Sequence, residues 1–179
     1  MNNKELIMAP TLYLTCGISG SGKSKYADFI KDAIQAVEVN ADNIRKEFGD
    51  ISDQTKNEEV FRELDKRINQ HLAGGMNVII SNTNLHHYTI ADYAKRYPYN
   101  RVIAMLMEDS KDAELCKSRV RSDISKGIIR SNVPDEVIDK QAKNFQLLLE
   151  DIEKKEWPKN VLFYVVKQDF SVAPYSKER

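Results

Sequence analysis

Apolar positions along the chain recur with two different spacings, one typical of buried strands and the other of amphipathic helices. Five short runs of aliphatic and β-branched residues end at glycine or polar positions, which predicts strands at residues 11–16, 37–40, 77–81, 102–107 and 161–166. Between these runs, apolar side chains recur every three or four residues, which predicts helices over about 23–36, 58–72, 86–96, 111–125 and 134–154. The polar stretch 171–179 is expected to fray as a flexible tail.

This alternation of strands and helices predicts the architecture. Strands separated by helices of ten or more residues form a parallel sheet with helices on both faces, so we expect an α/β fold with a five-stranded parallel sheet. A chain of 179 residues suits a single domain over 1–179. Ligands of such sheets bind beyond the carboxyl ends of the strands, which makes the polar motifs found there candidate site residues.

The strongest motif joins the first strand to the first helix. Residues 17–24 read GISGSGKS and fit the pattern G-x-x-x-x-G-K-[ST] in full. The glycines let successive backbone N–H groups converge on phosphate oxygens, while the lysine reaches the β and γ phosphates and the serine hydroxyl binds Mg²⁺. The sequence therefore predicts ATP or another nucleoside triphosphate with Mg²⁺, a metal ligand in Ser24, and nucleotide contacts from Gly17, Ser19, Gly20, Ser21, Gly22, Lys23 and Ser24.

A second motif, N-x-D-x-x-R at residues 40–45, follows the second strand. Asp42 and Arg45 are three residues apart, so they share a face if this segment begins a helix. A carboxylate there can accept the proton of an attacking hydroxyl, and a guanidinium can hold an anionic group of the acceptor. The alternative is a plain helix start, in which Asp42 caps the first turn and Arg45 is a solvated surface charge.

The two motifs and those that follow them resemble the polynucleotide 5′-hydroxyl kinases of bacteriophages. The run IISNTNL at residues 79–85 is similar to the strand-end I-I-S-D-T-N-L of that family, and a Glu114-Leu115 pair and then Val133-Pro134 follow in the family's order. The resemblance covers about residues 11–153. It implies a P-loop kinase core with a helical lid at about 117–133, without the phosphatase domain that some relatives carry.

The resemblance also implies roles for individual residues. The reaction would transfer the γ-phosphate of ATP to the 5′-hydroxyl end of DNA or RNA, with catalytic Lys23 and metal-binding Ser24 at the phosphates. Asp42 would be the general base, and Arg45 would bind the phosphate on the 3′ side of the modified nucleotide. Asn82 and Asn84 are candidate acceptor-binding residues, although the family has an acid at the position of Asn82. A strand-end turn that satisfies its own backbone is the alternative for both asparagines.

The implied lid is strongly basic. It contains one acid, Asp123, and five basic residues, which are Lys117, Arg119, Arg121, Lys126 and Arg130. Kinases of this class place lid arginines against the transferring phosphoryl group. Arg119 and Arg130 are the catalytic candidates, and Lys126 is a candidate contact for the nucleotide phosphates. The alternative is a solvated helix face, where such charge runs are common.

Composition and charge narrow the range of functions and cellular locations that fit the sequence. With 27 Lys+Arg and 27 Asp+Glu, the formal net charge is zero, which favours an enzyme that grips one end of a nucleic acid over a protein that coats its length. Cys16 and Cys116 have no C-x-x-C spacing, and neither a signal peptide nor a membrane span is evident. We therefore expect a cytoplasmic protein with reduced thiols and no membrane partner, with a phage-infected host cell among the possible settings and nucleic-acid repair as its role.

Two other function classes fit part of this pattern. A P-loop kinase that acts on a nucleoside, a nucleotide, a sugar or another metabolite would use the same phosphate loop. A non-catalytic nucleotide switch would use it as well. The N-x-D-x-x-R motif and the basic lid argue against the switch, because a switch needs no base that faces a bound acceptor. Salt dependence separates the two kinases, since only a polynucleotide acceptor brings a chain of phosphates.

Overall fold

The structure is a computed structural model that describes residues 9–51, 55–128 and 131–176. Strands β1 to β6 span Leu12–Cys16, Ala36–Val39, Asn77–Ile80, Val102–Met107, Val161–Val166 and Val172–Pro174. Helices α1 to α6 span Lys23–Ile30, Ala41–Glu47, Asn57–Ala73, His87–Arg96, Ala113–Ser125 and Asp135–Lys154. A short 3-10 helix, Glu108–Lys111, connects β4 to α5.

The sheet has the strand order β2-β3-β1-β4-β5-β6. The first five strands in this order pair in parallel, as predicted, and they match the five predicted segments. The sixth strand is a correction to the predicted flexible tail, because Val172 pairs with Val166 and Pro174 with Tyr164 in antiparallel register. A three-residue edge strand is too short to show an alternating pattern, and proline is tolerated there because one side of the strand has no partner.

Helices lie on both faces of the sheet, but they cover the two faces unequally. The larger apolar cluster joins one face of the sheet to α3, α4, α5 and α6, with buried members such as Leu64, Ile90, Val120 and Phe145. The smaller cluster lies under α1, where Tyr26 packs with Met105, Met107 and Val166. Burial of β1 in the middle of the sheet places the loop that follows this strand over the centre of the fold.

The first helix is shorter than its pattern indicates. The apolar spacing predicts a helix to about residue 36, whereas α1 ends at Ile30 and β2 begins at Ala36. Gln35 adopts a φ of 50°, and Ala36 N donates to Lys31 O at 2.8 Å. The chain must reverse within these five residues to reach the sheet edge, so tertiary pairing of β2 overrides the local helical spacing.

The carboxyl ends of the parallel strands meet at one edge of the sheet. Gly17 N, after β1, donates to Thr83 O, after β3, at 2.9 Å. Asn40, after β2, donates through Nδ2 to the carbonyl of Ser81 at 3.0 Å. The polar motifs predicted from the sequence are therefore brought together here.

Within the described ranges, no helix is both long and apolar enough to cross a membrane.

Candidate active site

The phosphate loop, residues 17–24, is held from outside by two side chains. Ile18 N donates to Ser110 Oγ at 3.2 Å, and Ser19 N donates to Gln141 Oε1 at 2.8 Å. Ser110 lies in the 3-10 helix after β4, and Gln141 lies on α6. The conformation of the loop is thus set by elements that come about a hundred residues later in the chain.

Glycine is required at two positions of this loop. A Cβ atom at Gly20 would lie 2.3 Å from the carbonyl oxygen of Cys116, and φ is +86° there. A Cβ atom at Gly17 would lie 2.6 Å from Ser21 Oγ and 2.8 Å from Ser110 Oγ. The loop packs directly on α5 and the 3-10 helix only because these side chains are missing, and this close packing fixes a curved backbone that suits an anion-binding concavity.

Lys23 and Ser24 stand where the loop becomes helix α1. Lys23 Nζ donates to Ile18 O at 2.7 Å and so lies across the loop. Ser24 is exposed in the first turn of α1, where the helix N-terminus favours anions. Ser21 Oγ is buried and makes no hydrogen bond to the described residues. A cationic amine, a helix N-terminus and spare hydroxyls fit a triphosphate and its metal ion.

Two asparagines build the N-terminus of α2. Asn40 Oδ1 accepts from Asp42 N at 2.7 Å and from Asn43 N at 3.2 Å. Asn82 Oδ1 accepts from Ala41 N at 3.0 Å. The helix cap is therefore Asn40 and not Asp42, and the carboxylate of Asp42 is left for side-chain contacts.

Asp42 and Arg45 form a pair at this sheet edge. Arg45 Nη1 donates to Asp42 Oδ1 at 2.6 Å, while Arg45 Nη2 donates to Asn57 Oδ1 at 2.8 Å. Arg45 is only 8% exposed, so it is not the solvated surface charge of the alternative. The other carboxylate oxygen, Asp42 Oδ2, accepts from Ser131 Oγ at 3.2 Å. Because Arg45 is buried, the fold has to supply its anionic partners, and it fixes the direction of the Asp42 carboxylate.

Asn82 and Asn84 both bind the backbone of this chain, as the strand-end alternative describes. Asn84 is buried with a φ of 45°, and its Nδ2 donates to the carbonyls of Thr15 and Ile80 at 2.9 and 3.2 Å. It ties the ends of β1 and β3 together. Asn82 instead positions α2, as described above. An acceptor contact by either asparagine stays a prediction.

The basic residues of the lid point in different directions. Arg119 Nη1 donates to Asp109 Oδ2 at 2.6 Å and to Gly20 O at 3.3 Å, which places it against the phosphate loop. Lys117 is buried, and hydrogen bonds to Asp139 and Glu114 hold its pKa above the ordinary value for lysine. Of the remaining candidates, Lys126 is exposed at the end of α5, and Arg130 lies outside the described residues.

The two cysteines are buried beside this site. Cys116 Sγ donates to Asp109 O at 3.3 Å, and burial raises the pKa of this thiol to about 11. Burial also raises the pKa of Cys16. Both groups are therefore protonated thiols near neutral pH, which suits structural residues and not nucleophiles.

Several residues of this site carry no signal in a local motif. They are Asn57, Asp109, Ser110, Ser131 and Gln141. The first comes from the start of α3 and the last from the middle of α6, so nothing in their immediate sequence indicates the contact. Asp109 and Ser110 match no motif, but their position did carry a signal, because they lie just beyond a predicted buried strand at the edge where ligands bind.

The sequence of the chain matches a family model described as AAA domain over residues 12–148. The match extends from β1 into α6 and includes the phosphate loop, so the chain belongs to this family of P-loop domains. The resemblance deduced from its motifs is confirmed by a curated relative, the putative bifunctional polynucleotide kinase/RNA ligase of Autographa californica nuclear polyhedrosis virus. That relative is 29% identical, with 81% of this chain covered and 23% of the relative.

Solved structures show the same fold. A chain in the structure of the Pnkp1/Rnl/Hen1 RNA repair complex has a TM-score of 0.70 at 22% identity, with 95% of this chain and 50% of that chain covered. A gluconokinase from Sinorhizobium meliloti has a TM-score of 0.52 at 19% identity, with 88% and 83% covered. The predicted P-loop kinase fold is thereby confirmed. The chain spans 23% of the curated relative and half of the repair-complex chain.

Proposed function

We propose that this chain is a polynucleotide 5′-hydroxyl kinase, which transfers the γ-phosphate of ATP to the 5′-hydroxyl end of DNA or RNA. One observation carries the proposal: Asp42 and a buried Arg45 form a hydrogen-bonded pair at the same sheet edge as the phosphate loop. A base next to an anion-binding guanidinium suits an acceptor that has a hydroxyl and a phosphate close together. The names of the viral relative, a polynucleotide kinase/RNA ligase, and of the RNA repair complex support this acceptor class.

Binding of the triphosphate falls to the loop between β1 and α1. The backbone N–H groups of Gly20, Gly22, Lys23 and Ser24, together with the Lys23 amine, would hold and partly neutralise the phosphate oxygens, because the loop conformation orients these donors before the nucleotide arrives. A bound Mg²⁺ would add positive charge on the phosphates, and Ser24 is the hydroxyl that would hold it. The described residues contain no cluster of three or more His, Cys, Asp or Glu side chains arranged for a metal ion.

Asp42 and Arg45 would act on the acceptor. The carboxylate of Asp42 accepts the proton of the attacking hydroxyl, which makes the oxygen a better nucleophile as it approaches the γ-phosphorus. Arg45 orients that carboxylate through its hydrogen bond and offers its guanidinium to the acceptor phosphate. Phosphoryl transfer needs little covalent help from a protein, so this positioning supplies much of the rate enhancement.

The lid would act on the transferring group. Arg119 lies against Gly20 O of the phosphate loop and is the described lid arginine with the shortest route to a bound phosphate. We propose that it stabilises the charge of the phosphoryl group in transit, as an arginine finger does. Arg130 and Lys126 remain proposed to stabilise the same charge.

We also propose that the enzyme works in the cytoplasm in nucleic-acid repair, a setting that suits its buried, protonated thiols.

The decisive experiment offers several acceptors in parallel. The protein is incubated with ATP labelled at the γ-phosphate and with 5′-hydroxyl oligonucleotides of DNA and RNA, nucleosides, nucleoside monophosphates and common sugars. We expect label on the oligonucleotides. Asp42→Asn should lower kcat by about a hundredfold or more, since general-base catalysis contributes that much, and leave ATP binding nearly unchanged.

Asn43→Ala is the matched control, because the Asn43 side chain is exposed on the same helix. It should retain activity. Label on a sugar or a monophosphate, with none on an oligonucleotide, would replace the proposal by the small-molecule kinase alternative. Equal loss of transfer and ATP binding in Asp42→Asn would remove Asp42 from its role as base.

A further inference from the structure

The hydroxyl of Ser131 makes a hydrogen bond to Asp42, the proposed catalytic base. Ser131 Oγ donates to Asp42 Oδ2 at 3.2 Å, across 89 positions of sequence, and both side chains are partly buried. The other oxygen of the carboxylate, Asp42 Oδ1, accepts from Arg45 at 2.6 Å. The two carboxylate oxygens of Asp42 therefore have different donors: Oδ1 accepts from the guanidinium of Arg45, and Oδ2 accepts from the hydroxyl of Ser131.

The chemistry of this contact matches the step proposed for the acceptor. A serine hydroxyl is a primary alcohol, as is the 5′-hydroxyl of a nucleotide, and each would donate its proton to Asp42 as it attacks phosphorus. A hydroxyl that already donates to Asp42 Oδ2 has the hydrogen bond to the proposed base that the nucleophile of the reaction would need.

Contacts of the two helices that flank Ser131, α5 and α6, support its position. It lies between α5 and α6, and Arg121 Nη1 of α5 pairs with Asp135 Oδ2 at the start of α6 at 2.8 Å. Arg119 of the same helix α5 contacts Gly20 O of the phosphate loop. Contacts made by its neighbouring helices therefore bring the serine to the edge where the triphosphate would bind.

We propose that Ser131 is a site of self-phosphorylation, an inference that rests on the proposed kinase chemistry of Asp42. Ser131 Oγ forms a bond to the γ-phosphorus of a bound nucleoside triphosphate, and the bond from that phosphorus to the β,γ-bridging oxygen breaks. The nucleoside diphosphate leaves with the bonding electron pair. The proton of Ser131 passes to Asp42 Oδ2.

The modification would also change how the site treats its acceptor. A phosphoserine carries a charge of about −1.5 to −2 at neutral pH. Next to Asp42, this charge would repel the phosphate that Arg45 is proposed to bind. Phosphorylated protein should therefore bind a 5′-hydroxyl oligonucleotide more weakly than unmodified protein does.

The test uses the full chain with γ-labelled ATP and Mg²⁺ in the absence of any acceptor. We expect label on the protein, mapped to Ser131 by mass spectrometry of its peptides, at a rate per molecule that does not depend on protein concentration. Ser131→Ala should reduce labelling about tenfold or more, as expected when a positioned nucleophile is removed. Ser125→Ala, a serine of α5 whose Oγ bonds to Ser122 O, is the matched control and should label normally.

A parallel reaction with a 5′-hydroxyl oligonucleotide separates this inference from the proposed function. Label on the oligonucleotide but none on Ser131, or label on another residue that Ser131→Ala leaves in place, overturns the inference alone. Label on Ser131 but on no oligonucleotide supports the inference and overturns the polynucleotide acceptor. Label on neither, with ATP binding intact, overturns both. Ser131→Ala should also lower KM for the oligonucleotide, because it removes a competing hydroxyl, and a loss of folding would not produce that change.

Discussion

Single residues of the phosphate loop serve its conformation and its packing at once. Gly20 needs a positive φ, and it also needs the space that Cys116 O of α5 occupies. The two requirements are independent, because a left-handed backbone can occur in open space. Gly75, after α3, shows this, since its φ is +79° and nothing lies within 4 Å of the position a Cβ would take.

This difference gives a matched pair of substitutions. Gly75→Ala should cost about 1 kcal/mol of unfolding free energy, since only the left-handed backbone penalty applies. Gly20→Ala should cost about 2 kcal/mol more, because the new methyl group forces the loop and α5 apart. Urea unfolding of both variants measures the costs. Equal destabilisation would show that the contact with Cys116 does not limit the loop.

The helix α5 is an element whose charged residues serve different neighbours. Arg119 faces the phosphate loop, Lys117 bridges to Asp139 of α6, and Arg121 pairs with Asp135 near the surface. Successive positions on a helix turn by about 100°, so residues two apart point in nearly opposite directions. The run of basic residues that looks uniform in the sequence therefore includes Arg119 as the described member that contacts the phosphate loop.

Substitution in α5 tests this division. Arg119→Ala should lower kcat about a hundredfold, because an arginine at the transferring group stabilises its charge, with a smaller change in KM for ATP. Arg121→Ala on the same helix should leave kcat close to normal, because its partner Asp135 is a surface group. Steady-state kinetics with ATP and an oligonucleotide measures both. A similar loss in the two variants would mean that general destabilisation of α5 is the cause.

The element α2 depends on a residue from another strand. Asn82, after β3, accepts from Ala41 N through Oδ1, and aspartate has an equivalent oxygen that is favoured at a helix N-terminus. Asn82→Asp should therefore preserve kcat. Asn82→Ala should remove about 1 kcal/mol of capping energy. It should also lower kcat about tenfold by letting Asp42 shift.

Kinetics and ATP binding of the two Asn82 variants provide the measurement. A positioning role predicts that Asn82→Ala changes kcat and leaves the dissociation constant for ATP almost unaltered, with recovery in Asn82→Asp. Loss of kcat in both variants would point to a direct contact between the Asn82 amide and the acceptor, in place of the positioning role.

At the scale of the whole molecule, a net charge of zero is compatible with a local group of basic side chains at the active-site edge. Lys23, Arg45 and Arg119 gather there, although acidic and basic residues are equal in number along the chain. An enzyme of this kind should contact a few phosphates near one end of its acceptor. The dependence of acceptor binding on salt should therefore be measurable and modest.

The number of phosphates contacted sets how steeply acceptor binding weakens with salt. Each phosphate contacted on a single strand contributes a slope of about −0.7 in a plot of log affinity against log salt concentration, so one or two contacts give about −1. We expect that slope for 5′-hydroxyl oligonucleotides and a nearly flat line for a nucleoside acceptor. Measurement of the acceptor dissociation constant between low and moderate potassium chloride gives both values. A slope several times steeper would indicate a long basic track instead of an end-binding site.

Much of the fold was predictable because its signals are local. Each parallel strand is a short apolar run, and each helix carries an apolar stripe, so the five-stranded parallel sheet followed from periodicity. The C-terminal end of α1 and the edge strand β6 were not predictable in this way. Both depend on pairing at the sheet edges, and residues 31–36 and 172–174 are too few to show a period of their own.

The sequence by itself determined which residues are candidates for a role that depends on backbone shape or on a fixed spacing. The glycines of the phosphate loop, Lys23, Ser24 and the pair Asp42 and Arg45 belong to this group, because each motif fits within eight residues. Only the tertiary structure decided the contacts that join distant parts of the chain. They are Gln141 on the loop, Asn82 on α2, Arg119 at Gly20 and Ser131 at Asp42. Such contacts exist because parallel strands bring their carboxyl ends to one edge, a meeting that no local pattern encodes.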